Sequence, residues 1–430
     1  MKSVDQVAGG ALNAAGPAPV SGRIPASGAP APRFRALPPL SLYIHIPWCV
    51  RKCPYCDFNS HEARDPVPEQ RYVDALVADL ESALPLIWGR TVYTVFFGGG
   101  TPSVFSAAAI EAIIAAVRAR VPLSTDAEIT LEANPGTFEA EKFRAFRAAG
   151  INRLSIGIQS FNPRHLKALG RIHDEKEARR AIDIARANFD NFNLDLMYGL
   201  PAQSPEDALA DIESALAFAP PHLSAYHLTL EPNTYFHRYP PALPDDDAAA
   251  QMQEAIEALL AATGYRHYET SAFALPGRQA RHNMNYWTFA DYLGIGAGAH
   301  SKISFPGRIA RQARYKQPKQ YMESATAGNA VQEQHDVATG EIGFEFMMNA
   351  LRLSGGFPLA LFEERAGVPL TAVLTQLGEA EKRGLIERDH QRVTPTALGR
   401  RFLNDLLQIF LPDSPSTAPR AVNLQRRAGL

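Results

Sequence analysis

The chain has 430 residues, 46% hydrophobic and 20% charged, enough for a sizeable core and two or three structural units. With 43 Lys plus Arg against 45 Asp plus Glu, no basic excess exists to neutralise a phosphate backbone, which disfavours nucleic-acid binding. No apolar run approaches the roughly 18 to 20 residues of a membrane span, and three cysteines cannot staple a secreted scaffold; a cytoplasmic protein with reduced thiols is expected.

Residues 1–39 hold nine Ala, seven Pro and five Gly. Such a stretch has little to bury and many backbone states to lose, so a disordered tail is expected. It lacks the apolar core of a secretory signal. Arg23, Arg33 and Arg35 faintly suggest a transit peptide, but Pro and Gly break any amphipathic helix. Residues 412–430 read as a second loose tail. Between them, β-rich runs at Ser41–Ile46, Val92–Phe97, Glu128–Glu132, Arg153–Gln159, Asn193–Tyr198 and Leu223–Leu230 alternate with helical patterns. Val73, Leu76, Leu80 and Leu84 share one helical face; Ile110, Ile113, Ile114 and Val117 share the next. Thr137 predicts an N-cap, Phe143 and Phe146 one helical face, and Gly150 a stop. Ser204-Pro205-Glu206-Asp207 supplies a cap, a first-turn proline and acids that complement the helix dipole. Six strand–helix units predict a parallel α/β sheet. With no offset break in the series, a partial (β/α)6 TIM-like barrel over residues 40–245 is favoured over a doubly wound sheet.

Residues 246–336 read as an extension of the barrel, with a helix over Asp245–Thr263 and a strand over Tyr265–Phe273. The block 337–411 predicts helices at Phe344–Leu353, Leu359–Ala366 and Leu370–Arg383, a hairpin across Gly384–Thr394 and a last helix, Thr396–Phe410. That order is winged-helix-like. Its few basic residues suit a lid or partner-docking module better than a DNA reader.

Unusual residues cluster where the strands end, as active residues of barrels do. Tyr43 and His45 share a face of the first strand, and Cys49, Cys53 and Cys56 follow as a C-x3-C-x2-C run. Later strands end in Gly98-Gly99-Gly100-Thr101-Pro102, in Glu132-Ala133-Asn134-Pro135, in Gln159-Ser160, after Asp195 in Gly199-Leu200-Pro201, and in Thr229 and Glu231. One polar strand end usually just caps the next helix; six in succession describe one mouth. Three thiolates from a short loop can hold three corners of an iron–sulfur cluster. A zinc site completed by His45 or His61 is the competing reading, although the run lacks a second C-x2-C knuckle or a spaced His pair. A three-cysteine cluster leaves one iron open to water or to a small oxygen or nitrogen donor. The triple glycine, lacking Cβ atoms, would let backbone approach such a ligand.

The segment Cys49-Val50-Arg51-Lys52-Cys53-Pro54-Tyr55-Cys56 resembles the signature of the radical S-adenosylmethionine (SAM) superfamily. Tyr43-Ile44-His45-Ile46-Pro47-Trp48, Asn152–Gln159 and Asp195–Pro201 are similar to its HemN-like branch, over about residues 40–410. The resemblance implies a partial barrel with a [4Fe-4S] cluster on Cys49, Cys53 and Cys56 and SAM on the open iron. It further implies Tyr43, Tyr55, Gly99, Gly100, Thr101, Glu132, Gln159, Arg171, Asp195 and Thr229 as the SAM pocket; Arg171 could equally precede the next helix. Two departures separate the chain from the coproporphyrinogen III dehydrogenases of the branch. Asp57 and Phe58 stand where those place a further cysteine, and the N-terminal tail is unlike their substrate segment. His282-Asn283-Met284-Asn285-Tyr286-Trp287 instead resembles the H-N-x-x-Y-W motif of the branch's haem chaperones, which implies a protein that binds haem and hands it to an acceptor haemoprotein. Oxygen-independent porphyrinogen decarboxylation is the alternative, and enzymatic turnover stays open. His282 could ligate haem iron, with Tyr286 and Trp287 against the porphyrin, or it could be a hydrogen-bonded histidine of the barrel rim. His300 could close a loop near SAM. Gly294, Gly296 and Gly298 do not fit a dinucleotide motif.

Overall fold

The sequence alternates short apolar runs with amphipathic stretches, and such strands bury both faces by pairing in parallel beneath helices. The computed structural model describes residues 31–136 and 141–412. The tail through residue 30, the Thr137 cap and the tail from residue 413 lie outside the described residues. Strands β1 (Leu40–Ile46), β2 (Val92–Gly99), β3 (Leu123–Ala133), β4 (Arg153–Gln159), β5 (Phe192–Tyr198) and β6 (His222–His227) pair in parallel in chain order. Added to them are β7 (Arg266–Glu269), β8 (Ala272–Ala274), β9 (Asp291–Ile295), β10 (His300–Phe305), β11 (Arg308–Arg314) and β12 (Val331–Asp336). The sheet order is β12-β11-β10-β9-β1-β2-β3-β4-β5-β6-β8-β7. β9 runs parallel to β1, and both flanks are antiparallel. The two edge strands do not pair, so the sheet is a partial, open barrel.

Helices cover the outside. Helix α1 (Glu69–Ala83) buries Tyr72, Val73, Leu76 and Leu80. Ser106 caps α2 (Ala107–Arg120), accepting from the Ala109 N–H. Helix α3 (Phe143–Ala149) stops at Gly150, whose φ of 111° is open to glycine. Then follow α4 (Pro163–Ala168), α5 (Glu175–Asn188), α6 (Pro205–Leu216), α7 (Tyr235–Arg238), α8 (Asp246–Ala262), α9 (Arg281–Trp287) and α10 (Pro318–Thr326). Reciprocal capping boxes start α5 at Asp174 and α6 at Ser204.

Three local readings change. The strand expected over Tyr265–Phe273 is a hairpin, β7 and β8, turned where the Thr270 N–H donates to Arg352 O (3.1 Å). The short β9, interrupted by Gly294, is a seventh parallel strand far along the chain from β6. Residues 31–39 are ordered: the Arg33 N–H donates to Gly367 O (2.7 Å), and Phe34, a lone aromatic among Ala and Pro, packs on the C-terminal core.

That core is built by α11 (Thr339–Ala350), α12 (Leu359–Ala366), α13 (Leu374–Lys382), α14 (Ala397–Arg401) and α15 (Leu403–Gln408) around a three-stranded sheet. Phe346, Phe357, Phe362, Leu377, Val393 and Leu406 fill it, joined by Phe289 and Ile309 from the sheet region. The expected last helix is bent at Phe402. The bend seats Gly399 against the Leu385 carbonyl while α15 buries Leu406.

Candidate functional site

The C-terminal ends of β1 to β6 open on one cavity of about 280 Å³. Trp48 and Cys49 pair with His61 and Glu62 and so close the cysteine loop at its base. Within it the Cys56 N–H donates to Cys53 O (3.2 Å), and Lys52 Nζ donates to the carbonyls of Phe58 (3.3 Å) and Ser60 (3.2 Å). Below the loop, His45 Nε2–H donates to Asn59 O (2.9 Å), which leaves Nδ1 to accept from the Tyr43 hydroxyl (3.0 Å). Burial holds this imidazole neutral, its pKa down to about 4. With both nitrogens engaged, His45 is no fourth ligand for a zinc.

Burial pushes the Cys49 thiol up to about 11, against the Thr101 hydroxyl, and raises Cys56 as well. Buried thiolates therefore need positive charge beside them, as a group containing iron supplies. Among the described residues, no three His, Cys, Asp or Glu side chains converge on a single ion. Three thiols on one short loop match the donor set of a cluster that takes each cysteine on a different iron, while His61, whose Nε2 has no hydrogen-bond partner among the described residues, is the histidine the zinc reading still has. Arg171 braces the site from α4's exit. Its Nη1 donates to Cys53 Sγ (3.5 Å), and its Nη2 to Asn134 Oδ1 (2.7 Å) and Gly157 O (2.8 Å).

The glycine run comes close to the same loop. The Gly100 N–H donates to Ile46 O (2.8 Å) and the Thr101 N–H to Trp48 O (2.7 Å). A Cβ on Gly100 would stand 2.6 Å from Trp48 O, and Gly99 holds a φ of 116°. Across the cavity, Gln159 ends β4 at a φ of 68°, a conformation uncommon outside glycine. Glu132 accepts from the Gly99 N–H (3.2 Å); burial and then the nearby Asp195 charge push its pKa up to about 8. Asp195, also raised by burial, accepts from Ser155 Oγ (2.9 Å) and Asn193 Nδ2 (2.8 Å). Thr229 donates to Glu231 (2.9 Å). The pocket thus presents backbone, carboxylates and an amide suited to hydroxyls and an ammonium.

Cys49, Cys53, Cys56, Tyr55, Gly99, Gly100, Thr101, Glu132, Gln159, Arg171, Asp195 and Thr229 all line this one cavity. Tyr43 lies behind Gly98, stacked on Phe96. His282 does not line it. It is 2% exposed on α9, stacked on Phe96 (4.9 Å), with Nδ1 on Thr94 Oγ1 (2.7 Å). Gly296 and Gly298 support the cysteine loop: Cβ atoms there would meet His45 O and Asn59. Sequence reasoning missed the deeper lining, Arg153, Ser155, Asn193, His222 and Asn283. The period-two alternation Arg153, Ser155, Gly157, Gln159 was the signal that could have found it.

Residues 43–215 match the family model of the radical SAM superfamily, and residues 340–402 that of the HemN C-terminal domain. The chain is 50% identical over 379 residues to a protein named Heme chaperone HemW from Escherichia coli (strain K12), covering 88% of this chain and 99% of the relative. The protein of that name from Haemophilus influenzae is 47% identical over 383 residues, again 88% and 99%. Among solved structures, coproporphyrinogen III oxidase (HemN) from Escherichia coli, a radical SAM enzyme, superposes with a TM-score of 0.74. It is 26% identical and is matched over 87% of this chain and 90% of that one. The chain therefore belongs to the HemW family of the radical SAM superfamily.

Proposed function

We propose that the protein binds haem and transfers it to an acceptor haemoprotein, and that it carries a [4Fe-4S] cluster with exchangeable SAM. The observation that carries this reading is 50% identity across 99% of a relative named for haem chaperoning. Asp57 and Phe58, which line the cavity where the dehydrogenases place another cysteine, support it further. Cys49, Cys53 and Cys56 would hold the cluster, which when bound supplies an electron-transfer centre with one iron open to a small donor. Arg171 balances thiolate charge at Cys53, Glu132 and Asp195 accept from SAM hydroxyl and ammonium groups, and the glycine backbone lets SAM lie close. No helix of the described residues is long and apolar enough to cross a membrane, and a cytoplasmic setting with reduced thiols suits the loop. We take residues 40–245 as the SAM-binding unit, 246–336 as its extension, and 337–411 as the module that docks the acceptor.

The test uses full-length protein reconstituted anaerobically with iron and sulfide. About one haem per chain, passed to an apo-haemoprotein, is the expected result. Sustained release of deoxyadenosine with conversion of coproporphyrinogen III would overturn it in favour of the decarboxylase.

A further inference from the structure

At the end of the cavity away from the cysteines, one charged side chain makes no contact ion pair among the described residues, although its charge is felt by Asp195. Arg153 opens β4 and is 2% exposed, yet it lines the cavity. Its Nε has no hydrogen-bond partner, and no ion pair holds its guanidinium among the described residues. A buried charge with no contact counterion is costly, and a carboxylate in contact is the group that offsets it best, bidentately. The polar groups around it are already committed to one another. His222 is bonded to Asn193 Oδ1 (2.7 Å) and to the Tyr268 hydroxyl (2.7 Å), while Asp195 is taken by Ser155 and Asn193. Arg153 precedes Gly157, the Arg171 partner, by four residues, roughly 13 Å along a strand. It therefore lies well below the level of the cysteine loop.

Behind the same end, outside the lining, lies an imidazole. His282 Nδ1 bonds Thr94, whose hydroxyl donates onward to Ser41 Oγ (2.7 Å), so His282 Nε2 is left without a hydrogen-bond partner. Burial and then the Arg153 charge keep this ring neutral, its pKa down to about 3.

We propose that Arg153 is a carboxylate anchor at the closed end of the cavity and that the carboxylate it receives is a propionate of haem. The assignment rests on the haem reading and deepens it by naming what would recognise the acidic edge of the ligand. A free small carboxylate offers the same chemistry, and the experiment separates the two.

Full-length protein with reconstituted cluster and SAM is titrated with haem and with haem dimethyl ester, followed by absorbance. Wild type, Arg153→Met and Arg153→Lys are compared, and melting is recorded with and without sodium propionate. Wild type should bind haem at least tenfold more tightly than the diester. Arg153→Met should bind the two alike, with the cluster absorption retained, and Arg153→Lys should recover part of the preference. If wild type treats haem and diester alike but is stabilised by propionate, and Arg153→Met is not, the anchor serves a free carboxylate. Absence of both responses, or Arg153→Met matching wild type in both, overturns the proposal. Haem failing to bind wild type at all sinks the haem reading, while the propionate melts still judge Arg153.

Discussion

Glu132 makes the candidate pocket sensitive to pH. Burial and the Asp195 charge raise its pKa from 4.5 to about 8, opposed by the Gly99 N–H. Unfolding returns the carboxyl to its ordinary range. Between about pH 4.5 and 8 the folded chain therefore binds a proton that the unfolded chain has lost, and this contribution to stability falls as pH rises. From pH 6 to pH 8 the loss is about 2 kcal/mol, or roughly 3 °C in Tm for a chain of this length. Glu132→Gln keeps an oxygen for the Gly99 N–H and removes the titration. Cluster-free, SAM-free protein should accordingly lose roughly 3 °C more than Glu132→Gln between those pH values, read by thermal melts; Asp195 is common to both. Parallel melting profiles would refute the reasoning. If ionised Glu132 receives SAM, binding expels its proton, and affinity should rise about fivefold from pH 7 to 8, an increase absent in the variant.

Gly100→Ala sets a Cβ 2.6 Å from Trp48 O and 2.8 Å from the Pro47 carbonyl carbon, so the cysteine loop must shift. Iron per chain after reconstitution should drop by about half or more, at a folding cost of about 1–3 kcal/mol. Arg171→Met leaves Cys53 and Asn134 without their cation. Cluster loss to a chelator, followed by the fading visible band, should quicken about tenfold or more. Asp79 and Arg314, 3.2 Å apart and both buried, tie α1 to β11, and Asp79 also accepts from the Tyr321 hydroxyl (2.9 Å) and the Gly296 N–H (3.2 Å). Asp79→Ala should cost about 3–5 kcal/mol, roughly 5 °C in Tm, because a buried guanidinium is left alone. Asp79→Leu with Arg314→Met should regain at least half, and a loss under about 1 kcal/mol in the single variant would contradict the pairing.

The parallel strands were legible because each buries both faces and is bounded by turn residues. Arg153–Gln159 is matched end to end, and α6 begins at its proline after the Ser204 cap. β9 was hidden because five residues that include a glycine look like a loop until β1 is seen beside them. At the site, the cysteines and strand-end residues could be read because they combine unusual chemistry with position. Arg153 sits at the start of a strand, where a charged residue usually faces solvent, and only the curvature of the open sheet turns it inward. The support of the loop by Asn59, Tyr72 and the glycines that follow β9 joins residues more than 200 positions apart, a relation carried by no local pattern.

Helix α9 bears on how haem could reach His282. Its Asn283 faces the cavity, while Arg281, Met284 and Asn285 border a separate groove, so the helix is a partition between the two. It is held by Glu128, which accepts from the His282 N–H (3.2 Å), by the stack of His282 on Phe96, and by Tyr286 against Tyr292 of β9 (4.5 Å). The free Nε2 has the electron pair that an iron needs, but at 2% exposure no iron reaches it without displacement of the partition. Ligation through His282 must then follow an opening step. The association rate should level off as haem is raised, Glu128→Ala should lift that plateau by removing the acceptor that holds α9, and His282→Ala should lose the histidine-ligated spectrum. A rate linear in haem up to the diffusion limit, with an unchanged spectrum in His282→Ala, would place haem outside the partition and leave His282 as a packed histidine of the barrel floor.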